Sequence, residues 1–251
     1  MPVELPAPSA SGGHQRGIGV VAPFDFALDR ELWRWVPDDV SLYLTRMRFF
    51  TSPVTVEMAT ALTKRGVIRQ ATRDVLTPEP DVVAYACASG SFVSGVLGER
   101  LLTRTMVDAG APAACTTSGA MVEALALLGV RNLAIATPYI DSVTDRLVSY
   151  LAENGVRTVS RYGLGLLGHI WRVPYATVVD IVRQVDDPDA DAMYISCTNL
   201  PTYDVIESLE QALGKPVLTA NQVTMWSALR AMGLQAVGGG QSLLRSVGQA
   251  A

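Results

Sequence analysis

Metal-ligating side chains are scarce in this sequence: 251 residues hold two histidines and three cysteines, and no C-x-x-C pair occurs. Zinc centres draw on Cys and His at short, paired spacings, so neither a structural nor a catalytic zinc site is expected. A small, odd number of cysteines also excludes a disulfide framework and suits a reducing compartment, here expected to be the cytoplasm. No apolar run approaches the roughly 20 residues that span a bilayer. The N-terminus lacks a basic region followed by an apolar one, so no membrane partner is expected. Charge is also sparse, with 18% charged residues and a formal net charge of −4, and this offers no basic face to a nucleic acid.

Apolar residues make up 49% of the chain. That suffices for one large domain or two of ~100 to 150 residues, each with its own core. Residues 1–16, rich in Pro, Ser, Gly and Ala, carry no periodic pattern and are expected to form a loose tail, with His14 an unordered surface residue in it. From Gly17 a buried strand is closed by Pro23, and a second strand is expected at Val40–Arg46. Ser52-Pro53 reads as a helix start, and helical apolar spacing runs from Val54 to Leu76 with a break near Gly66.

The chain is organised around Asp191–Ile206, where the apolar run Ala192–Ile195 ends in Ser196-Cys197 and turn-forming residues follow. Val82–Phe92 echoes it, with Cys87 closing an apolar run ahead of Ser89-Gly90-Ser91. Pro138 closes a strand ahead of Cys197 as Pro23 does ahead of Cys87. Each half therefore reads as strand, helix, strand, helix, strand, cysteine. This predicts an α/β fold of two similar Rossmann-like βαβ domains with parallel sheets, related by a pseudo-twofold axis. Open α/β sheets place their chemistry at the carboxyl ends of the strands, so the two cysteines are expected to face each other across a cleft.

Two facing thiols suit proton transfer at a carbon next to a carboxylate. An acid or base can then stand on either face of a planar intermediate, and thiolate is also a carbon nucleophile. Local N–H dipoles are expected to lower the thiol pKa from ~8.5. Donors for charge on the carboxylate oxygens are expected from Ser89, Thr116, Thr117, Ser118, Tyr139, Thr198 and Asn199, at strand ends or turns. No cofactor is required. Cys115 reads as structural, and His169 as a packing or gating residue in a Gly-rich loop rather than a base. The G-L-G-L-L-G string before His169 lacks the spacing and lysine of a phosphate loop. Trp33, Trp35 and Trp226 read as core or interface aromatics.

Four motifs carry a family resemblance: Cys87-Ala88-Ser89, Cys115-Thr116-Thr117-Ser118, Ala136-Thr137-Pro138-Tyr139-Ile140-Asp141 and Ser196-Cys197-Thr198-Asn199-Leu200-Pro201-Thr202. In order and spacing, from Gly17 to about Gly233, the chain resembles the maleate cis-trans isomerase and arylmalonate decarboxylase group of the aspartate/glutamate racemase superfamily. The resemblance implies a cofactor-free fold of two domains, 17–117 and 118–221, with helix 222–251 packing back on the first, and a homo-oligomer. The decarboxylases carry glycine where Cys87 stands; the isomerases carry both cysteines. By that likeness Cys87 adds to an alkene and Cys197 protonates the neighbouring carbon, or in a racemase the two exchange a proton on opposite faces. Tyr139, Ser89, Thr198 and Asn199 would hold carboxylate oxygens, with Thr117 and Ser118 as further substrate contacts.

One departure bears on the substrate. The isomerases resemble one another in a polar Ser-Asn-Thr turn after the first strand, where this chain has Pro23-Phe24-Asp25-Phe26-Ala27. Asp25 would repel a dianion unless protonated or paired, which favours a monocarboxylate, a more apolar acid or an amine-bearing substrate. The leading expectation is an isomerase acting on a small carboxylic acid. A malonate-type decarboxylase comes second, and a ligand-binding protein without catalysis third.

Overall fold

The computed structural model describes residues 15–247. Residues 1–14 and 248–251, which include most of the expected tail and His14, lie outside the described residues. Strands β1 (Arg16–Ala22), β2 (Val40–Arg46), β3 (Val82–Tyr85) and β4 (Ala114–Thr116) form one parallel sheet in the order β2, β1, β3, β4. Strands β5 (Asn132–Thr137), β6 (Arg157–Gly163), β7 (Ala192–Ile195) and β8 (Val217–Thr219) form a second in the order β6, β5, β7, β8. The second order repeats the first with every number raised by four, so the doubled α/β architecture is present.

The central strands are the ones whose sequence is apolar without alternation. β3 and β7 are buried at every residue, as strands covered by helices on both faces must be. The outer strands β2 and β6 are only partly buried. β1 begins at Arg16, whose guanidinium donates to the Met232 carbonyl at 2.7 Å, one residue inside the span read as tail.

The helical segment after β2 differs from its sequence expectation in its start and its break. The segment after β2 forms Val56–Leu62 and Arg65–Val75, broken at Thr63-Lys64 rather than at Gly66. Its first turn is capped by Thr55, whose hydroxyl accepts from Met58 N at 3.3 Å, whereas the Ser52 hydroxyl turns to the Pro53 carbonyl. The residues after β4 enter a helix at once, Thr117–Leu127, because Thr116 accepts from Gly119 N at 3.0 Å.

The two halves are tied by buried polar contacts as well as by apolar packing. From helix Ala220–Ala231, Met225, Ala228 and Leu229 share a cluster with Ile18 and Val20 of β1 and Val82 and Ala84 of β3. Buried Glu31, on helix Asp29–Trp33, accepts from Thr202 N at 3.0 Å, Thr202 Oγ1 at 2.8 Å and Asn221 Nδ2 at 3.1 Å. Burial raises the Glu31 pKa, and the Thr202 and Asn221 donors pull it back. Trp35 is buried and donates to Gln241 Oε1 at 2.9 Å, and Trp226 is buried too, whereas Trp33 is 46% exposed.

Replacing Glu31 by alanine strands three buried donors at this joint. Glu31→Ala is expected to cost about 3 kcal/mol and to lower the thermal midpoint by roughly 5 to 12 °C. Calorimetry checks it, and an unchanged midpoint would show that the joint carries no stability.

Candidate active site

β3 and β7 hold equivalent places in their sheets, and in each the cysteine stands two residues beyond the strand, at the carboxyl edge. Past Cys87 the chain turns into the short helix Ala88–Phe92. Gly90 in that helix has no side chain because none fits: a Cβ there would lie 3.1 Å from the Cys87 sulfur and closer still to the Tyr85 hydroxyl. Cys197 has a backbone φ of +94°, rare for a residue with a side chain and costing ~1–3 kcal/mol. The Asn199 N–H then reaches its sulfur at 3.4 Å.

Both cysteines line one cavity of about 30 Å³, room for a single water molecule. Its polar wall is Asp25, Ser89, Tyr139, Thr198 and Asn199, and its apolar wall is Val54, Met58, Leu62 and Ile170 with Pro23 and Ala88. No lysine or arginine is among the lining residues. The wall is closed from above where Val54 N donates to the Leu167 carbonyl at 2.9 Å, joining the segment after β2 to the Gly-rich loop. A substrate larger than water needs more room than the unliganded cavity offers.

Burial governs the sulfur chemistry. It pushes the Cys197 thiol up to about 12, against the Tyr139 hydroxyl and the Asn199 N–H, which pull it down. It raises Cys87 also, against the Gly90 N–H and the hydroxyls of Ser89, 3.9 Å away, and Tyr85. The lowered pKa expected from local dipoles is thus reversed, because desolvation of a thiolate outweighs a few neutral donors. Asp25 acts on both sulfurs in the same upward sense. Its own pKa is raised by burial, with its backbone N–H and the Asn199 amide opposing.

Of the expected contact residues, Asp25, Ser89, Tyr139, Thr198 and Asn199 reach the cavity with the two cysteines. Thr117 and Ser118 do not. Thr117 bonds to the Tyr85 carbonyl at 3.2 Å and to Thr224, and Ser118 to Ser91 at 2.6 Å, both behind the Cys87 turn. Thr116 caps its helix and donates to Glu99. Thr198 spends its hydroxyl on the Ala86 carbonyl at 3.1 Å, across the two halves. Asn199 donates to the Asp25 carbonyl at 3.0 Å and accepts from Ala27 N at 2.9 Å, so its side chain clamps the turn after β1. In that turn Phe24 packs on Phe49 and Phe50 and Phe26 is buried in the core, which leaves Asp25 as the turn's polar group facing the cavity beside Pro23.

The apolar wall was not recognised as part of the site. Val54, Met58 and Leu62 recur every four residues, a spacing shared by core and pocket. His169 stands beside the cavity with a left-handed φ of 54° and its ring against Trp171, while its neighbour Ile170 does the lining. Cys115 is in another place altogether, a cleft of about 680 Å³ beside β4. In that larger cleft Glu99 accepts from Thr116 and Thr103, and Glu123 accepts from Ser227 and pairs with Arg230. Among the described residues no three His, Cys, Asp or Glu side chains gather as a metal site, and no helix is long and apolar enough to cross a membrane.

The repeated parallel α/β half defines a two-domain α/β architecture shared with solved arylmalonate decarboxylases and maleate isomerases. The arylmalonate decarboxylase family profile matches residues 36–244, and the chain belongs to that family. An arylmalonate decarboxylase of Bordetella bronchiseptica is 38% identical over 156 residues, spanning 61% of this chain and 65% of that protein. A maleate isomerase of Nocardia farcinica is 29% identical over 245 residues, 92% of this chain and 96% of that one. Among solved structures, a liganded arylmalonate decarboxylase with one glycine changed to cysteine and one cysteine to serine has a TM-score of 0.84. It is 30% identical, covering 91% of this chain and 98% of that one. A serine-for-cysteine variant of the Nocardia farcinica maleate cis-trans isomerase, carrying a covalently bound succinylcysteine intermediate, has a TM-score of 0.81. It is 25% identical, covering 92% and 98%.

A thiol whose pKa is higher folded than unfolded gives stability that is complete below the unfolded value of ~8.5 and is lost as pH rises toward the folded one. The alkylation rate of Cys87 and Cys197 in the unliganded protein is therefore expected to keep climbing through pH 10, with stability falling over the same range. Mass-resolved alkylation against pH reads this directly, and a plateau below pH 8 would contradict burial as the dominant influence.

Proposed function

We propose that this chain is a cofactor-independent isomerase that acts on a small carboxylic acid through Cys87 and Cys197. The observation that carries the reading is the meeting of the two sulfurs in one cavity, with hydroxyl donors beside them and an apolar wall opposite. One cysteine, as thiolate, attacks or deprotonates the carbon next to the carboxylate. The other, as thiol, delivers a proton to that carbon or its neighbour. Ser89 and Tyr139 offer hydroxyls to the carboxylate oxygens, where negative charge grows in the transition state.

Similarity supports the thiol chemistry. A succinyl group on cysteine, as in the Nocardia relative, is what sulfur and a proton make when they add across the double bond of maleate. In this chain burial keeps the Cys197 thiol protonated, able to give its proton to a strongly basic carbanion, and Cys87 is the sulfur that must lose its proton when substrate binds. Thr117 and Ser118 shape the Cys87 turn from behind rather than meet substrate. Its three free cysteines fit the cytoplasm, and the exposed Leu97 and Leu101 on helix Gly95–Asp108 fit a homo-oligomer.

A second reading, a decarboxylase of a malonate-type acid, is favoured by the 38% identity to the Bordetella enzyme and by the apolar wall, which would desolvate a leaving carboxylate. It needs only Cys197 as proton donor.

Proton NMR in deuterated water, on a panel of maleate, arylmalonates, amino acids and hydantoins, reports isomerisation, racemisation and decarboxylation together. Cys87→Ser and Cys197→Ser are each expected to lower turnover at least a hundredfold with the fold intact by circular dichroism. Full activity in both variants removes the two-thiol mechanism. Carbon dioxide release that survives Cys87→Gly selects the decarboxylase.

A further inference from the structure

The cavity pairs an unusual set of walls. It holds one carboxylate, Asp25, no lysine or arginine, neutral hydroxyl donors and a continuous apolar side. Among the described residues Asp25 forms no ion pair, although it acts on both sulfurs. A dicarboxylate bound here would add negative charge to a site that already contains Asp25 and must make a thiolate, with no cation to balance it. A substrate that brings its own cation removes that conflict.

We propose that the substrate is an α-amino acid with an apolar side chain, its ammonium paired with Asp25, its carboxylate on the Ser89 and Tyr139 hydroxyls, and its side chain against Val54, Met58, Leu62 and Ile170. This deepens the two-thiol reading above and rests on it. Three unlike groups on the α-carbon meet three unlike walls, and the fourth substituent is the hydrogen that is exchanged. Asp25 is held for this role by Asn199, which clamps the Asp25 turn while its own N–H contacts the Cys197 sulfur. The ammonium's counterion and the reacting thiol are therefore set from one side chain and its backbone. The bound ammonium also supplies the positive charge that burial otherwise denies to a thiolate.

The reaction is racemisation. The thiolate of one cysteine takes the α-proton, and the electron pair of the C–H bond passes into the carboxylate as an enediolate. The thiol of the other cysteine returns a proton to the opposite face of the same carbon. Configuration is inverted, nothing is oxidised or reduced, and the two sulfurs end with their protonation exchanged. That state accepts the other enantiomer directly or is reset by proton exchange with water.

The test uses the full chain with leucine, methionine, phenylalanine and valine in deuterated water, followed by proton NMR and chiral chromatography. Each is compared with its N-acetyl derivative and the matching 5-substituted hydantoin, which lack the ammonium, and with maleate and phenylmalonate. Deuterium at the α-carbon and racemisation are expected for at least one free amino acid, with its N-acetyl form at least a hundredfold slower. Asp25→Asn is expected to lower kcat/KM a hundredfold or more for that amino acid, mostly through KM, and Asp25→Glu to recover part of it. The wild-type comparison with N-acetyl derivatives decides the matter even where a variant fails to fold. Equal turnover of free and acetylated forms overturns the role of Asp25. Turnover of maleate, phenylmalonate or a hydantoin with every amino acid inert overturns the substrate class, and leaves the two-thiol reading standing if Cys87→Ser and Cys197→Ser abolish it. Inertness of all these compounds overturns both.

Discussion

Exclusion of water from two sulfur atoms is the constraint on which the site depends, because it decides their protonation before any substrate arrives. The strands that end at Cys87 and Cys197 are buried throughout, and the space between the sulfurs holds one water at most. In such a place the neutral thiol is favoured, and a handful of hydroxyls and N–H groups only moderates the preference. Both sulfurs therefore rest as acids. Whatever binds must bring the means of making one of them a base, which ties the choice of substrate to the electrostatics of the empty cavity.

Around that dry space the two halves are joined by buried polar contacts. Glu31 reaches from the first half to Thr202 and Asn221. Thr198 reaches back to the Ala86 carbonyl, and Asn199 to the turn after β1. Ala86 adjoins Cys87, Thr198 adjoins Cys197 and Asn199 follows two residues after it, so contacts that join the halves also set the reacting groups. Buried bonds of this kind stabilise modestly in net terms but cost the full desolvation of a donor when broken. The joint is consequently intolerant of partial loss, and its geometry is passed on to the sulfurs with little slack.

The central strands and both cysteines at their ends were legible in the sequence for one physical reason. Central parallel strands need apolar side chains on both faces, so V-V-A-Y and A-M-Y-I stand out, and small or turn-forming residues mark their carboxyl ends. Asp25 was legible too, as a charge in a turn that should be polar and neutral. The pocket wall was not: Val54, Met58 and Leu62 have the spacing of any buried helix face, and only the approach of Ile170 from the other half makes them a wall. Thr117 and Ser118 look like ligand contacts in sequence, yet the Tyr85 carbonyl and Ser91 claim them. The direction of the thiol pKa was also hidden, because it is a sum over burial and donors that only the tertiary structure brings together.

The repeat of topology does not extend to the backbone that carries the two sulfurs. Cys87 sits in ordinary extended backbone with φ of −144°, ahead of a helix whose Gly90 leaves space for its sulfur. Cys197 is held at φ of +94°, at a cost of ~1–3 kcal/mol that the surrounding contacts must offset. A strained residue is kept where its side chain must point in one direction only, and here the strain aims the sulfur at the Asn199 N–H and the Tyr139 hydroxyl. The Cys87 sulfur stands on unstrained backbone, whereas the Cys197 sulfur is held along one line. A doubled fold has thus produced two thiols with one address and unequal backbone freedom.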